Sequence, residues 1–193
     1  MSRLPALRRL PGMLSWILRN RLRAFEREWE YDMSYARALL DADVRAFLAF
    51  AKAQGMGRYR KDIPRDVGYA AGITAMLAED CGPCTQLGVT MALREGMSAR
   101  VLAAVVRGEL EELSEDVRLG VEFARAVISH APAADELRER IVATWGQRAL
   151  VSLAFAITMS RVYPTLKYAL GHGKACQRVV IAGQPVAVLR EAT

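Results

Sequence analysis

The chain of 193 residues suits one domain with an appended arm, and a composition of 52% hydrophobic and 25% charged residues excludes disorder over most of its length. Residues 1–25 contain six arginines and no acid, so they account for the whole formal net charge of +6. The remaining basic and acidic residues balance, and no nucleic-acid-binding motif is present. We therefore expect no nucleic-acid partner.

The fold class is predicted from the types of apolar residue and from the spacing of the Gly and Pro residues. Ala, Leu, Val and Met dominate, aromatic residues make up only 7%, and long segments separate the Gly and Pro residues. We therefore predict an all-α, multi-helix domain. Residues 1–30 are interpreted as a basic amphipathic arm, 31–175 as the helical domain with its central motif region at 67–130, and 176–193 as an extended tail.

The first predicted helix, residues 13–29, has an apolar stripe at helical spacing and a separate arginine face. The stripe consists of Leu14, Leu18, Leu22, Phe25 and Trp29. One interpretation is that it packs against the chain's own domain or a neighbouring subunit. The other is that residues 1–25 make a weak contact with an anionic membrane surface. No secretory signal is predicted, because Ser15 and Trp16 interrupt the apolar run Met13–Leu18 and no small-residue cleavage site follows. No membrane span is predicted, because the longest charge-free apolar stretch, Ala149–Ser160, is too short. We expect a cytoplasmic protein.

Further helices follow in chain order, separated by Gly, Pro and capping residues. They are predicted over residues 34–54, from Pro64 to Glu79, from the cysteine motif to Gly96, from Ser98 to Arg107, from Ser114 to Ser129, over 135–146, and from Gln147 onward with a bend at Pro164. The tail "VVIAGQPVAVL" is β-branched on both sides of a turn signal, which favours a small hairpin or an extended arm.

The stretch "LAEDCGPCTQLG", residues 77–88, carries the main candidate site, the dithiol formed by Cys81 and Cys84. Asp80 is a suitable N-cap and Pro83 fits only the first turn of a helix, so the dithiol is predicted at a helix N-terminus. At a spacing of three residues the two side chains share a face and can close a disulfide. A helix N-terminus also favours the thiolate, so at least one thiol is expected to titrate below its ordinary value.

Two other interpretations of the dithiol stay open at this point. A zinc site needs four ligands, and the chain adds only Cys176, His130 and His172, none of them in a paired spacing. The two cysteines can also be inert and packed. We predict no metal and no cofactor. His130 is interpreted as a helix C-cap residue, His172 as a loop residue and Cys176 as a buried cysteine.

The order of motifs resembles the carboxymuconolactone decarboxylase and alkyl hydroperoxidase D superfamily. The resemblance covers about residues 67–130, through "EDCGPCTQLGVTMALREGMSARVLAAVV" and "LGVEFARAVISHAPAADELRERI". It implies an all-helical trimer or hexamer with thiol peroxidase or disulfide reductase activity and a thiol electron donor. In the hydroperoxidase branch the second cysteine attacks peroxide and the first resolves the sulfenic acid, which gives these roles to Cys84 and Cys81.

The chain departs from that branch at its proton relay. Gly88 stands where the branch has a histidine, and Tyr69 stands where it has a glutamate. Glycine moves no proton, and a phenol is a poor base near neutral pH. Glu79 and Asp80 lie near the dithiol in sequence and can replace the relay through a water, or serve only as a solvated acid and a helix cap.

The sequence therefore predicts a peroxiredoxin-type peroxidase with an antioxidant role, or a disulfide oxidoreductase, with catalytic Cys84 and Cys81 and candidate relay residues Glu79, Asp80 and Tyr69. The alternative is a non-enzymatic helical homo-oligomer of the same fold that acts as a redox sensor or an interaction scaffold. The missing relay favours this alternative, whereas the Gly-Pro dithiol favours the enzyme.

Overall fold

The computed structural model describes residues 12–174 and 178–188, and within them it confirms a predominantly helical chain with one small sheet. The chain divides into two compact units, Met1–Lys52 and Ala53–Thr193. Residues 1–11, residues 175–177 with Cys176, and the last five residues lie outside the described part. The elements are α1 (Gly12–Trp29), α2 (Ser34–Ala42), α3 (Val44–Gly57), α4 (Arg65–Ala78), α5 (Gly82–Arg94), α6 (Ala99–Arg107), a 3-10 helix (Leu110–Glu112), α7 (Glu115–Ile128), α8 (Ala134–Trp145), α9 (Gln147–Ala169), β1 (Arg178–Ile181) and β2 (Gln184–Ala187).

In the first unit, α1 packs against α2, and the predicted apolar stripe of α1 is at least partly buried. Leu22 is buried, and the other members of the stripe are half-buried. The Phe25 ring lies 6.0 Å from that of Trp29 and 6.3 Å from that of Tyr31, measured between centroids. The stripe therefore stabilises the unit to which it belongs.

The prediction of a single helix over residues 34–54 is wrong, because the structure has two helices that meet at Asp43. The backbone of Asp43 is extended, and its carboxylate accepts a hydrogen bond of 2.8 Å from the Arg45 backbone N–H. An aspartate that satisfies a backbone amide two residues later competes with helix continuation and begins a new helix.

The second unit is built around α4, which packs against α5, α7 and α9. Its inward face carries small side chains, and Ala70, Ala71 and Ala75 are fully buried. Small residues let helix backbones approach closely. A Cβ added to Gly72 would lie 3.0 Å from the Ser160 Oγ on α9.

The closest of these approaches predicts a large effect for Gly120→Ala. A Cβ at Gly120 on α7 would lie 2.6 Å from the Cγ1 and 3.3 Å from the carbonyl oxygen of Val67 on α4. We expect the free energy of unfolding to fall by about 1–3 kcal/mol, the usual cost of overpacking. Gly68→Ala on α4 is the control, because nothing lies within 4 Å of its added Cβ. It should raise stability by about 0.5–1 kcal/mol. Urea titration of both variants checks this, and equal shifts in one direction would contradict it.

Most other predicted boundaries are confirmed within two residues. Ser114 caps α7 by accepting a hydrogen bond of 3.4 Å from the Val117 backbone N–H, and His130 follows α7 in the left-handed conformation. Pro64 precedes α4 instead of starting it. Pro164 lies inside α9, and the bend predicted there stays a prediction. The short 3-10 helix was not predicted.

The tail forms a hairpin, which is one of its two predicted conformations, and not the extended arm. β1 and β2 are antiparallel, with Val179 opposite Val186, and a turn at Ala182 and Gly183 joins them. The Gln86 side chain of α5 donates to the Val180 carbonyl oxygen at 3.0 Å and accepts from its N–H at 2.8 Å. The hairpin is therefore fixed to α5, the helix that begins at the dithiol.

Within the described residues, α9 is the one helix long and apolar enough to cross a membrane by length and composition. The prediction of no membrane span counted only the charge-free stretch Ala149–Ser160, and α9 is longer than this stretch. In the structure α9 packs against α4 and α8, and residues such as Leu153 and Ile157 are buried there. A core helix of a soluble domain has the same composition.

Candidate redox site

The dithiol follows a tight turn between α4 and α5. The backbone of Asp80 is left-handed (φ 48°), its N–H donates to the Leu77 carbonyl oxygen at 3.0 Å, and the N–H of Cys81 donates to that of Met76 at 3.4 Å. This pair of hydrogen bonds is a Schellman ending of α4. The prediction that Asp80 caps α5 is therefore wrong, because Asp80 closes α4 and Cys81 occupies the N-cap of α5.

Cys81 and Cys84 form a disulfide in the first turn of α5, with their Cα atoms 5.4 Å apart. This distance lies inside the range of about 4.4–6.8 Å that disulfides require. Pro83 occupies the first turn, where its missing N–H costs no helical hydrogen bond. The spacing therefore brings the two sulfurs together at a helix start, as the sequence predicts.

Both cysteines are buried, with exposed fractions of 0% for Cys81 and 3% for Cys84. The backbone N–H and the hydroxyl of Thr85, itself fully buried, both donate to the Cys81 carbonyl oxygen at 2.9 Å. These bonds fix the backbone of the first turn. A bulky substrate therefore reaches the sulfurs only if the chain around them moves.

The C-terminal part of α9 and the chain after it hold the turn before the dithiol in place. The Tyr168 hydroxyl donates to the Asp80 carbonyl oxygen at 3.2 Å, and the Gly82 N–H donates to the Lys174 carbonyl oxygen at 3.2 Å. The Gly82 amide is one of the groups that would favour a thiolate at the helix N-terminus, and it is already engaged.

Glu79 lies two residues before Cys81 in the chain, but its carboxylate forms an ion pair with another residue. The Arg161 Nε on α9 donates to Glu79 Oε1 at 2.5 Å, and the Glu79 side chain is mostly buried. Asp80 is exposed. The relay role predicted for these two acids stays a prediction, and for Glu79 it would compete with the ion pair.

Tyr69 lies at the opposite end of α5 from the dithiol. The Arg60 guanidinium carbon lies 4.4 Å from the centre of its ring, and Arg60 and Glu95 are the charged residues that influence its hydroxyl. Glu95 ends α5 eleven residues after Cys84, or about 16 Å along the axis at ~1.5 Å per residue. The structure therefore does not bring this candidate relay residue to the sulfurs.

The chemistry of Tyr69 also opposes a relay role. Burial raises the pKa of Tyr69 above its ordinary value of 10.0, and the interactions with Arg60 only partly offset this effect. A phenol that holds its proton so firmly accepts none near neutral pH. Tyr69 is better explained as the centre of a cluster that ties α4 to the end of α5.

Gly88, at the position of the family's histidine, is buried against α4. A Cβ there would lie 3.1 Å from the Met76 Sδ and 3.4 Å from the Ile73 Cγ1. Glycine thus lets α4 and α5 approach, and Met76 occupies space that a side chain at position 88 would need.

No protein-family model, curated protein or solved structure matches this chain. The resemblance stated above therefore depends on the Cys-Gly-Pro-Cys motif and on the order of the helices.

The part of the chain that the structure describes contains no group of three or more His, Cys, Asp or Glu side chains that could hold a metal ion. His130 is exposed after α7, and His172 lies in the loop after α9. Cys176, the remaining cysteine, is outside the described residues.

Sequence reasoning missed Gln86 and Arg161, which lie near the site, and the buried Lys167 on α9. Gln86 fixes the hairpin to α5, and Arg161 pairs with Glu79. Lys167 is 2% exposed on the inward face of α9. Its spacing from Pro164 and Ser160 is a signal that could have placed it on that buried face.

Proposed function

We propose that the chain is a thiol-dependent redox protein in which Cys84 and Cys81 cycle between dithiol and disulfide, with a small peroxide as the oxidant. The observation that carries the proposal is the closed pair in the first turn of α5, with Cα atoms 5.4 Å apart. Little backbone movement separates the two redox states at this distance. Burial of both sulfurs favours a small oxidant over a bulky protein disulfide.

The proposed cycle has three balanced steps. The Cys84 thiolate attacks the peroxide and the O–O bond breaks. With one proton, this gives a sulfenic acid on Cys84 and releases water from hydrogen peroxide or an alcohol from an alkyl hydroperoxide. The Cys81 thiol displaces that hydroxyl as water and forms the disulfide. An external dithiol then supplies two electrons and two protons, becomes a disulfide itself, and restores both thiols.

The reaction is expected to be slow. Glu79 is paired with Arg161, Tyr69 is remote, and Gly88 carries no side chain. General acid–base assistance contributes typically about 10²–10⁴-fold, and these positions do not supply it. The same observations favour the second candidate, a redox sensor or scaffold of the same fold that forms the disulfide without turnover.

Two accompanying features are proposed on the same basis. The family resemblance supports a homo-oligomer, a trimer or a hexamer. A reducible dithiol suits the cytoplasm, where the thiol pool keeps such pairs reduced.

Thiol counting by mass spectrometry tests the proposal. The reduced protein is treated with one equivalent of hydrogen peroxide, and loss of two hydrogens from the peptide containing Cys81 and Cys84 is expected, with reversal by dithiothreitol. Repeated cycles with a dithiol donor distinguish the enzyme from the sensor. Two unmodified thiols after peroxide treatment would show that the pair is only packing.

A further inference from the structure

We propose that the outward face of α1 binds an anionic membrane surface. This outward face consists of Met13, Trp16, Ile17, Arg21 and Arg23, and it is distinct from the stripe that packs on α2. The proposal is independent of the redox chemistry of the dithiol.

The apolar part of the outward face is solvent-exposed at one end of α1. Met13 is 71% exposed, Trp16 64% and Ile17 37%, whereas Leu22 on the opposite face is buried. With about 100° of rotation per residue, these three side chains cluster on one side of the helix. A tryptophan beside aliphatic side chains suits the boundary between lipid headgroups and acyl chains.

The charge of the outward face indicates an anionic occupant. Arg21 and Arg23 are exposed, and within the described residues neither forms an ion pair. By contrast, Arg19 pairs with Asp41 at 2.5 Å, so α2 already neutralises it. Residues 12–25 of α1 contain no acid, and the preceding sequence adds Arg3, Arg8 and Arg9.

Apolar and basic groups together favour a lipid surface over the other candidates. A second copy of this chain would bring the same arginines together, which like-charge repulsion opposes. A nucleic acid would use the arginines but would leave Met13, Trp16 and Ile17 exposed. A membrane containing anionic lipid matches both the basic and the apolar part of the outward face. Each arginine near the membrane contributes to the binding free energy, and the apolar side chains insert between the lipids.

Vesicle sedimentation of the full-length protein tests the charge requirement. We expect the protein to sediment at low ionic strength with vesicles of phosphatidylcholine and phosphatidylglycerol, but not with phosphatidylcholine alone, and salt should release it. The double variant R21Q/R23Q should bind about 25-fold more weakly, at about fivefold per arginine. R45Q/R140Q removes two other exposed arginines and is the matched control, which should bind like the parent.

Two variants of Trp16 test insertion. W16S should weaken binding by at least about tenfold, since it removes a large apolar contact, whereas L170S, at another exposed apolar residue, should not. W16F should still bind, but quenching of tryptophan emission by brominated acyl chains should fall sharply, although Trp29 and Trp145 remain.

Three results would overturn the proposal. One is no sedimentation with anionic vesicles at low salt, and another is equal binding by R21Q/R23Q and its control. The third is a lower particle mass for W16S by light scattering without lipid, because the outward face would then be an interface between copies of the chain.

Discussion

Cys84→Ser is expected to abolish peroxide consumption. The hydroxyl of serine is not a nucleophile towards the O–O bond at neutral pH, and Cys81, the remaining thiol of the pair, is fully buried at the N-cap of α5. Cys81→Ser should instead consume one equivalent of peroxide and stop, because Cys84 forms a sulfenic acid that has no adjacent thiol to resolve it. The asymmetry between the two variants defines which sulfur attacks.

The measurement is stopped-flow peroxide consumption together with the intact mass of each product. Cys176→Ser is the control, because it removes the third thiol and leaves the pair in place; it should behave like the parent. In a Cys176→Ser background, Cys81→Ser should gain one oxygen atom, and Cys84→Ser should gain none. If Cys84→Ser consumes peroxide and Cys81→Ser does not, the roles are reversed and the family pattern does not apply.

Loss of the disulfide should also be visible in stability. For the short loop that Cys81 and Cys84 close, the chain-entropy relation gives about 2 kcal/mol. The oxidised parent should therefore exceed oxidised Cys84→Ser in its free energy of unfolding by about this amount. Under dithiothreitol the difference should shrink, which separates the disulfide from the packing of the sulfur.

Gly88→His alone is expected to destabilise the protein instead of improving catalysis. From the sequence, histidine at this position would restore the family's relay, provided that the neighbouring packing leaves space. The structure leaves little, because a Cβ would already lie 3.1 Å from the Met76 Sδ and 3.4 Å from the Ile73 Cγ1. The larger imidazole forces these side chains apart, at a cost of about 1–3 kcal/mol in the free energy of unfolding.

The double variant Met76→Ala with Gly88→His should be more stable than Gly88→His alone and should consume peroxide faster than the parent. Met76→Ala removes the side chain nearest to the new Cβ. The imidazole, one helical turn after Cys84, then lies on the same side of α5. We expect peroxide consumption to rise by about 10²-fold or more, with a pH dependence near the ordinary histidine pKa of ~6.5.

Met76→Ala with Gly88→Leu is the matched control, because leucine fills similar space without moving a proton. Urea titration and stopped-flow kinetics of the single and double variants form a complete cycle. A stable and faster Gly88→His single variant would show that Met76 does not block the position. Equal rates for the histidine and leucine double variants would exclude proton transfer from position 88.

Local features of the sequence determined most of the fold and the location of the dithiol. The helices around the site could be predicted because Gly, Pro and Ser residues mark their ends and because apolar residues recur at helical spacing. The dithiol at a helix start could be predicted because Pro83 fits only a first turn. The predictions at Asp43 and Asp80 were wrong because each aspartate fits more than one place in a helical chain. The Asp43 carboxylate accepts a hydrogen bond from the Arg45 N–H and begins a new helix, whereas the Asp80 N–H donates to the Leu77 carbonyl oxygen and ends the helix before it.

Only the tertiary structure decided what surrounds the sulfurs. The antiparallel course of α4 and α5 carries Tyr69 to the far end of α5, and an arginine 82 residues away along the chain takes the Glu79 carboxylate. Gln86 likewise holds a strand residue 94 positions later. Burial, ion pairing and the space beside Gly88 are set by segments that meet only after folding. Propensities act over a few residues, whereas the environment of a thiol is made by every element packed against it.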